Sequence, residues 1–437
     1  MNQTPLTQRI NRLFLFILGI FVIMMGGYLY WGILRSPFLA VQSDNPRTVE
    51  RELRVQRGAI YDSNLTALAE NRLEGEISIR EYPFPSASSA VGYYSLRFGV
   101  SGIEQSLDDL LRGNSDQPED IWYREVVGGA QVGADVRLTL DVTLQERATD
   151  HFARFDAEGA LLLVTTDDGT LKTMVSQPTF DPNLIDEQFE TYIDDEDSPL
   201  LNRATQNRYQ PGKILAPFWI LIALHDGLIS SAELDANGIA GTLELLAGRW
   251  SNEDVLGAMQ RLGLTGEPNI GLDVGSQAAA LDLTQLATVG EELNGEGRIL
   301  ITPLMLAQSA LYFGQDGDLP PLRLISATRD SEDAPWVAFQ DGDGIESIQV
   351  LEDGAPDLLP FQPQVINGQI MDQMEADDLF AEWTARVDAG PEMVNSWYIG
   401  FAPARDPRFV VVIVLEDQSD SQIAAEIGRD LLTEALK

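Results

Sequence analysis

Few residues in this chain could carry group-transfer chemistry. There is no cysteine, so thiolate nucleophiles, disulfides, iron–sulfur clusters and thiolate zinc sites are excluded together. The imidazoles are His151 and His225, 74 residues apart, and they do not make a multi-histidine metal site. No metal and no cofactor is expected. The lysines are Lys172, Lys213 and Lys437. A serine activated by a lysine one helical turn on needs the spacing Ser-x-x-Lys, which sets both side chains on one helix face. The residues three before the lysines are Gly169, Gln210 and Glu434, so that couple does not occur. A Gly-x-Ser-x-Gly elbow is absent as well. Carboxylate pairs suited to glycoside hydrolysis are uninformative among 68 Asp and Glu. His225, at the end of an apolar stretch, reads as a surface or capping histidine.

The 437 residues include 29 basic and 68 acidic side chains, a formal net charge of −39. Length alone suggests about two to three domains. At 44% hydrophobic and 22% charged the composition suits a folded chain. The acidity argues against nucleic acid, which demands clustered positive charge, and against docking on an anionic lipid surface. Leu13 to Leu34 runs 22 residues without a charge, enough to span a hydrocarbon core of about 30 Å. Tyr28, Tyr30 and Trp31 lie near one end, where an interfacial aromatic belt belongs. Arg9 and Arg12 precede the stretch and Arg35 follows it, which favours a cytoplasmic N-terminus. The expectation is a cytoplasmic tail over 1–12, a transmembrane helix over 13–34, and an extracytoplasmic body on a single-pass anchor in the cell membrane.

The elements of that body follow from patterning. Asp62-Ser63-Asn64 predicts a hairpin turn. Apolar residues Ile103, Leu107, Leu110 and Leu111 recur at helical spacing up to a stop at Gly113. Residues 135–141 alternate as a strand, and Val142–Ala153 reads as a helix. Gly159–Val164 and Leu171–Val175 are strand-like runs joined through Asp168-Gly169. The acidic stretch 186–198 reads as a solvated loop. Ile214–His225 is apolar and helical, Ser396–Phe401 and Phe409–Leu415 are strands, and Ile423–Leu436 is a helix. Strands bracketing helices indicate an α+β fold.

Seven segments, in this order, resemble the class B penicillin-binding proteins, the membrane-anchored D,D-transpeptidases of bacterial wall synthesis. They are Arg57-Gly58-Ala59-Ile60-Tyr61-Asp62, Gly99-Val100-Ser101-Gly102-Ile103-Glu104, Leu138-Thr139-Leu140-Asp141-Val142-Thr143-Leu144-Gln145, and Ser176-Gln177-Pro178-Thr179-Phe180-Asp181-Pro182-Asn183. Next come Asn202-Arg203-Ala204 ahead of Tyr209-Gln210-Pro211-Gly212, then Gly295-Glu296-Gly297 with Thr302-Pro303-Leu304, and last Trp397-Tyr398-Ile399-Gly400-Phe401-Ala402-Pro403. The resemblance implies a membrane-proximal pedestal, dimerisation-like domain over 36–150 and a transpeptidase-like domain, akin to the serine β-lactamases, over 155–437.

The resemblance also locates what is missing. Where the family has Pro-Gly-Ser-x-x-Lys, the chain reads Pro211-Gly212-Lys213-Ile214-Leu215-Ala216. Lys213 stands at the nucleophile position and Ala216 at the general-base position. Counting back from Trp397 puts the family's Lys-Thr-Gly near Trp383, Thr384 and Ala385. Ser-x-Asn occurs only at Ser43-Asp44-Asn45, close to the span, while Ser251-Asn252 has the wrong spacing. Lys172-Thr173-Met174 mimics Lys-Thr-Gly but belongs to the early hairpin. The expected function is a pseudo-transpeptidase of peptidoglycan synthesis with a scaffold or regulatory role. Its implied partners are wall-synthesis membrane proteins such as a polytopic glycan polymerase, together with peptidoglycan itself. Two readings stay open beside it: a residual D,D-transpeptidase, and an adhesive exterior protein whose acidic surface binds cations.

Overall fold

The computed structural model describes residues 6–30, 52–75, 77–113, 131–272, 286–313, 318–339, 348–349, 362–363, 380–390, 393–404 and 406–437. Along the chain the main elements are α1 (Leu6–Leu29), β1 (Ile60–Tyr61), β2 (Ala67–Glu74), β3 (Ile77–Glu81), β4 (Asp135–Leu138), α2 (Val142–Phe155), β5 (Glu158–Thr165) and β6 (Leu171–Gln177). They continue with α3 (Ile185–Asp194), α4 (Ala216–His225), α5 (Ser231–Arg249), α6 (Asn252–Arg261), α7 (Pro303–Ala310), β7 (Ile325–Arg329), β8 (Val337–Ala338), β9 (Ala381–Gly390), β10 (Met393–Ala402), β11 (Phe409–Glu416) and α8 (Ser421–Ala435).

Two compact units emerge, Met1–Val55 with Leu73–Ile79, and Gln56–Arg72 with Arg80–Lys437. In the first, α1 exposes its described side chains, Arg12–Tyr28, and these include Leu13, Phe14, Phe16, Phe21 and Ile23. Counted on the described residues, no helix is long and apolar enough to cross a membrane. The Ser78 amide donates to the Leu53 carbonyl at 2.8 Å.

Among the described residues the second unit holds two main sheets beside two two-stranded ribbons. In the smaller, β8, β7, β4, β1 and β2 lie side by side, with β4 parallel to β1 and antiparallel to β7. Its later strands come from beyond residue 320, so the two sheets are not contiguous blocks of sequence. The larger sheet is antiparallel in the order β9, β10, β11, β5, β6. Its central strands are apolar at every interior position because both faces are covered. Ala160, Leu162, Val164, Val410, Val412 and Val414 enter the core that contains α4 and α7. Leu161, Leu163, Val411, Ile413 and Leu415 enter the core with α2 and α8. Period-two alternation therefore sorts one continuous hydrophobic run between two cores. Helix α4 sits in the middle of the domain and is buried from Ala216 to Ala223, so it carries no polar stripe.

Two expectations need correction. Residues 186–198 are not all loop: α3 runs to Asp194, with Ile185, Phe189 and Tyr192 at i, i+4 and i+7 packing with Tyr93 and Phe180. The acidic composition masked an apolar stripe. The helix expected up to Gly113 is two short turns, Gly102–Ser106 and Asp108–Arg112, broken at Leu107; Gly113 ends the second at φ +67.

Candidate functional site

The turn ahead of α4 is wedged between a strand and a loop. Gly212 adopts φ +54, and a Cβ there would lie 3.2 Å from the Arg386 carbonyl oxygen on β9. From the other side Gly295, at φ +67, approaches so closely that its Cβ would fall 2.0 Å from the Gly212 carbonyl oxygen. Only glycine fits such a contact in that conformation. The Gly295 loop is shaped by Glu292, a fully buried carboxylate that accepts from the amides of Ala287, Arg298 and Ile299. Two indoles then tie the turn to the sheet. Trp383 on β9 donates Nε1–H to the Lys213 carbonyl at 2.8 Å, and Trp397 on β10 donates to the Gln210 carbonyl at 3.0 Å.

An open cleft of ≈ 700 Å³ lies along β9 and is lined by Lys213, Trp383, Thr384 and Ala385 together with Asn294, Glu296, Arg386 and Ser419. The structure thus brings four of the five singled-out positions to one cleft. Ala216 is the exception: it is 0% exposed, one turn into the core, and does not line the space. Lys213 is exposed and makes no ion pair among the described residues. No hydrogen bond joins it to the cleft hydroxyls of Thr384 or Ser419 among the described residues. Ser419 was not singled out in the sequence and no motif surrounds it, whereas Arg386 directly follows Ala385 in the stretch placed by counting back from Trp397.

The other candidates fall elsewhere. Ser251 caps α6, bonding the Asp254 amide, and the Asn252 side chain donates to the Ala287 carbonyl at 3.3 Å. Thr173 is buried within β6. His225 bonds Asp226 at 3.0 Å beside Arg261, and His151 stands 3.9 Å from Asp430; neither lines the cleft. Ser43-Asp44-Asn45 lies outside the described residues. No group of three or more His, Asp or Glu suited to a metal ion occurs among the described residues.

A second cleft of ≈ 720 Å³ adjoins the first through Gln210, Val387 and Asp388, and carboxylates dominate it: Asp156, Glu158, Asp197, Glu416 and Asp417. Partial burial, reinforced by Asp197, holds the Glu158 carboxyl above its ordinary value. Glu416 is tied down by Arg203 (2.9 Å), Tyr209 (2.6 Å) and Asn207 (3.1 Å). Burial, with the Glu416 charge behind it, pushes the Tyr209 phenol far up, so it remains a donor.

Many residues of the first five sequence segments have structural work away from the cleft. Arg57 and Glu104, 47 positions apart, form a buried ion pair at 2.7 Å; Arg80 joins Glu104 at 2.7 Å and Asp108 joins Arg57 at 2.6 Å. The buried Asp62 accepts from the amides of Asn64, Thr66 and Val142. Asp141 caps α2, Thr139 donates to the Leu171 carbonyl, and Gln145 pairs with both backbone groups of Met174. Asn183 bridges to Tyr82, and Asn202 donates to the Ser89 carbonyl. These contacts set one part of the domain against another.

Two family models match the chain: the penicillin binding protein A dimerisation domain over residues 57–136 and the penicillin binding protein transpeptidase domain over 159–259. The peptidoglycan D,D-transpeptidase PbpA of Mycolicibacterium smegmatis is 25% identical over 501 aligned residues, covering 98% of this chain and 99% of the relative. The D,D-transpeptidase MrdA of Escherichia coli is 31% identical over 144 residues, which is 30% of this chain and 22% of the relative. Among solved structures, the penicillin G acyl-enzyme complex of penicillin-binding protein A from Mycobacterium tuberculosis superimposes with a TM-score of 0.71 at 21% identity, covering 87% of this chain and 100% of that one. At that identity the likeness establishes the fold.

Proposed function

Because the chain belongs to the class B penicillin-binding protein family, we propose that it serves peptidoglycan synthesis as a pseudo-transpeptidase, keeping the fold and lacking acylation. One observation carries the reading: at the head of α4 the cleft presents Lys213, and the residue one turn on is the buried Ala216. Acyl transfer needs a hydroxyl whose proton a neighbouring base can take. Loss of both members of such a couple costs roughly 10⁴–10⁶ in rate, or about 5–8 kcal/mol. Lys213 is no substitute, since acylating an amine leaves an amide that neither water nor an acceptor amine readily opens. The β9 side of the cleft carries Trp383, Thr384 and Ala385 in place of Lys-Thr-Gly, with Arg386 next along the strand.

The scaffold side of the proposal rests on what is retained. The Arg57–Glu104–Arg80 cluster, and the side chains of Asp62, Thr139 and Gln145, keep the membrane-proximal sheet rigid and available to a partner. That partner is a wall-synthesis membrane protein such as a polytopic glycan polymerase. The apolar face of α1, exposed all round, supports a membrane anchor with the body outside the cell. Labelling the full-length chain with fluorescent penicillin tests the reading: no band should survive denaturation. A second reading, residual D,D-transpeptidase activity, draws on the Thr384 and Ser419 hydroxyls that share the cleft with Lys213. It expects a covalent band that disappears when one of those hydroxyls is removed.

A further inference from the structure

A cavity of ≈ 90 Å³ shares no lining residue with the Lys213 cleft and lies between the segment matching the dimerisation domain and the segment matching the transpeptidase domain. Ser88 and Ser101 line it from the first; Thr179, Phe180, Asn202 and Thr205 line it from the second. No lining residue is charged, although 22% of the chain is. Anions find no cation there within a protein of net charge −39, and cations find no carboxylate. The surface is one of hydroxyls, amides and a few apolar walls, which is the chemistry of a neutral hydrogen-bonding ligand.

Its polar groups are not all satisfied internally. Ser88 and Thr179 bond each other at 2.6 Å, and the Asn202 amide is used by the Ser89 carbonyl. Ser101 Oγ accepts from the Tyr93 amide at 3.1 Å, but its own proton has no acceptor among the described residues. Thr205 is 2% exposed as a residue and lines the cavity; its hydroxyl has no partner among the described residues and is not sealed from solvent. Both hydroxyls can therefore bond an occupant in place of water.

Size narrows the occupant. A dry cavity of about 150 Å³ holds benzene, with six heavy atoms, so one of this size takes about three to four. An acetamido group has four: a methyl for the Phe180 wall, a carbonyl oxygen to accept from a hydroxyl, and an N–H to donate. The exposed amides of Gln105 and Gln206 stand at the rim, within reach of ring hydroxyls outside. We propose that this cavity binds the acetamido group of an N-acetylated amino sugar, with the sugar ring resting at its mouth. A glycan strand held there touches both domains at once. The site is independent of whether the Lys213 cleft acylates.

The test is saturation-transfer NMR on the full-length chain in detergent, with di-N-acetylchitobiose as probe and its N-deacetylated counterpart and cellobiose as comparators. The acetyl methyl should receive the strongest transfer, and the comparators little. Thr205→Val, which removes the hydroxyl and keeps the shape, should weaken binding about fivefold or more. Gln105→Ala, a rim change that leaves the core untouched, should weaken it about twofold. No transfer to the acetyl methyl would mean that the cavity holds only about three waters and would overturn the proposal. Undiminished binding in whichever of the two variants folds would overturn it too, as would binding lost in Lys213→Ala, which would place the sugar in the other cleft.

Discussion

Glu104→Gln isolates the scaffold from the chemistry. Glu104 is 0% exposed and lies between Arg57 and Arg80, whose side chains are 2% and 4% exposed. Burial by itself would depress the Arg57 pKa; Glu104 and then Asp108 more than reverse it and raise it. At an effective dielectric of about 20, an ion pair at this separation is worth about 6 kcal/mol before desolvation is counted. Replacing Glu104 by the neutral amide preserves shape but leaves two guanidiniums in the same enclosed space, with Asp108 the remaining counter-charge. Breaking a buried pair from one side costs about 3–5 kcal/mol. The expected result is a loss of about 3 kcal/mol in urea unfolding of the part that matches the dimerisation domain, with the midpoint shifted and the slope unchanged. Arg57→Met combined with Glu104→Leu should lose less than the two single changes summed. A loss below about 1 kcal/mol for Glu104→Gln would refute the reasoning, because it would class this cluster with solvated surface pairs.

Other expectations follow from the cleft and its surroundings. Trp383→Phe removes the donor to the Lys213 carbonyl and should cost about 1 kcal/mol in thermal unfolding; an unchanged midpoint would show that the indole does not tie the turn to β9. Lys213→Ser with Ala216→Lys should gain no penicillin labelling and should lower the melting temperature, because position 216 is fully buried and a lysine there must bury its amine. Vigorous labelling by that double variant would contradict the account of the cleft. Glu158→Gln should stabilise the fold at neutral pH, by less than about 1 kcal/mol for so solvated a group. The Glu158 carboxyl titrates above its ordinary value in the fold, so its charged form is disfavoured there. The gain is full above that raised value and fades as pH falls towards the unfolded carboxylate range, where the glutamate is protonated in both states. Equal gains at neutral pH and at about pH 3.5 would contradict it.

Much of the fold is legible in local pattern. The runs Gly159–Val164 and Phe409–Leu415 are strands because nothing else buries six apolar residues on two faces in so short a span. The turn at Asp62 was marked by its residue types, and Asp62 itself makes it by accepting from Asn64 and Thr66. What the sequence conceals is long-range. Arg57 and Glu104 each stood in a marked segment, but nothing local says that they meet. The return of β7 beside β4 joins residues about two hundred positions apart, and no periodicity records such a pairing. Helix α3 escaped because acidic residues on its outer face dominate the composition, while its apolar stripe is only three residues long. In the cleft, Lys213 and the Trp383–Ala385 strand could be placed by motif and counting, whereas Ser419 and the two indole ties depend on three-dimensional proximity.

The central claim, that the chain keeps the fold and lacks the acylating couple, meets its most direct test in intact-mass spectrometry. The full-length protein is held with excess penicillin G and weighed beside an active relative under the same conditions. The account predicts an unchanged mass for this chain while the relative gains one opened penicillin. A stoichiometric mass gain that vanishes in Ser419→Ala or Thr384→Val would contradict it.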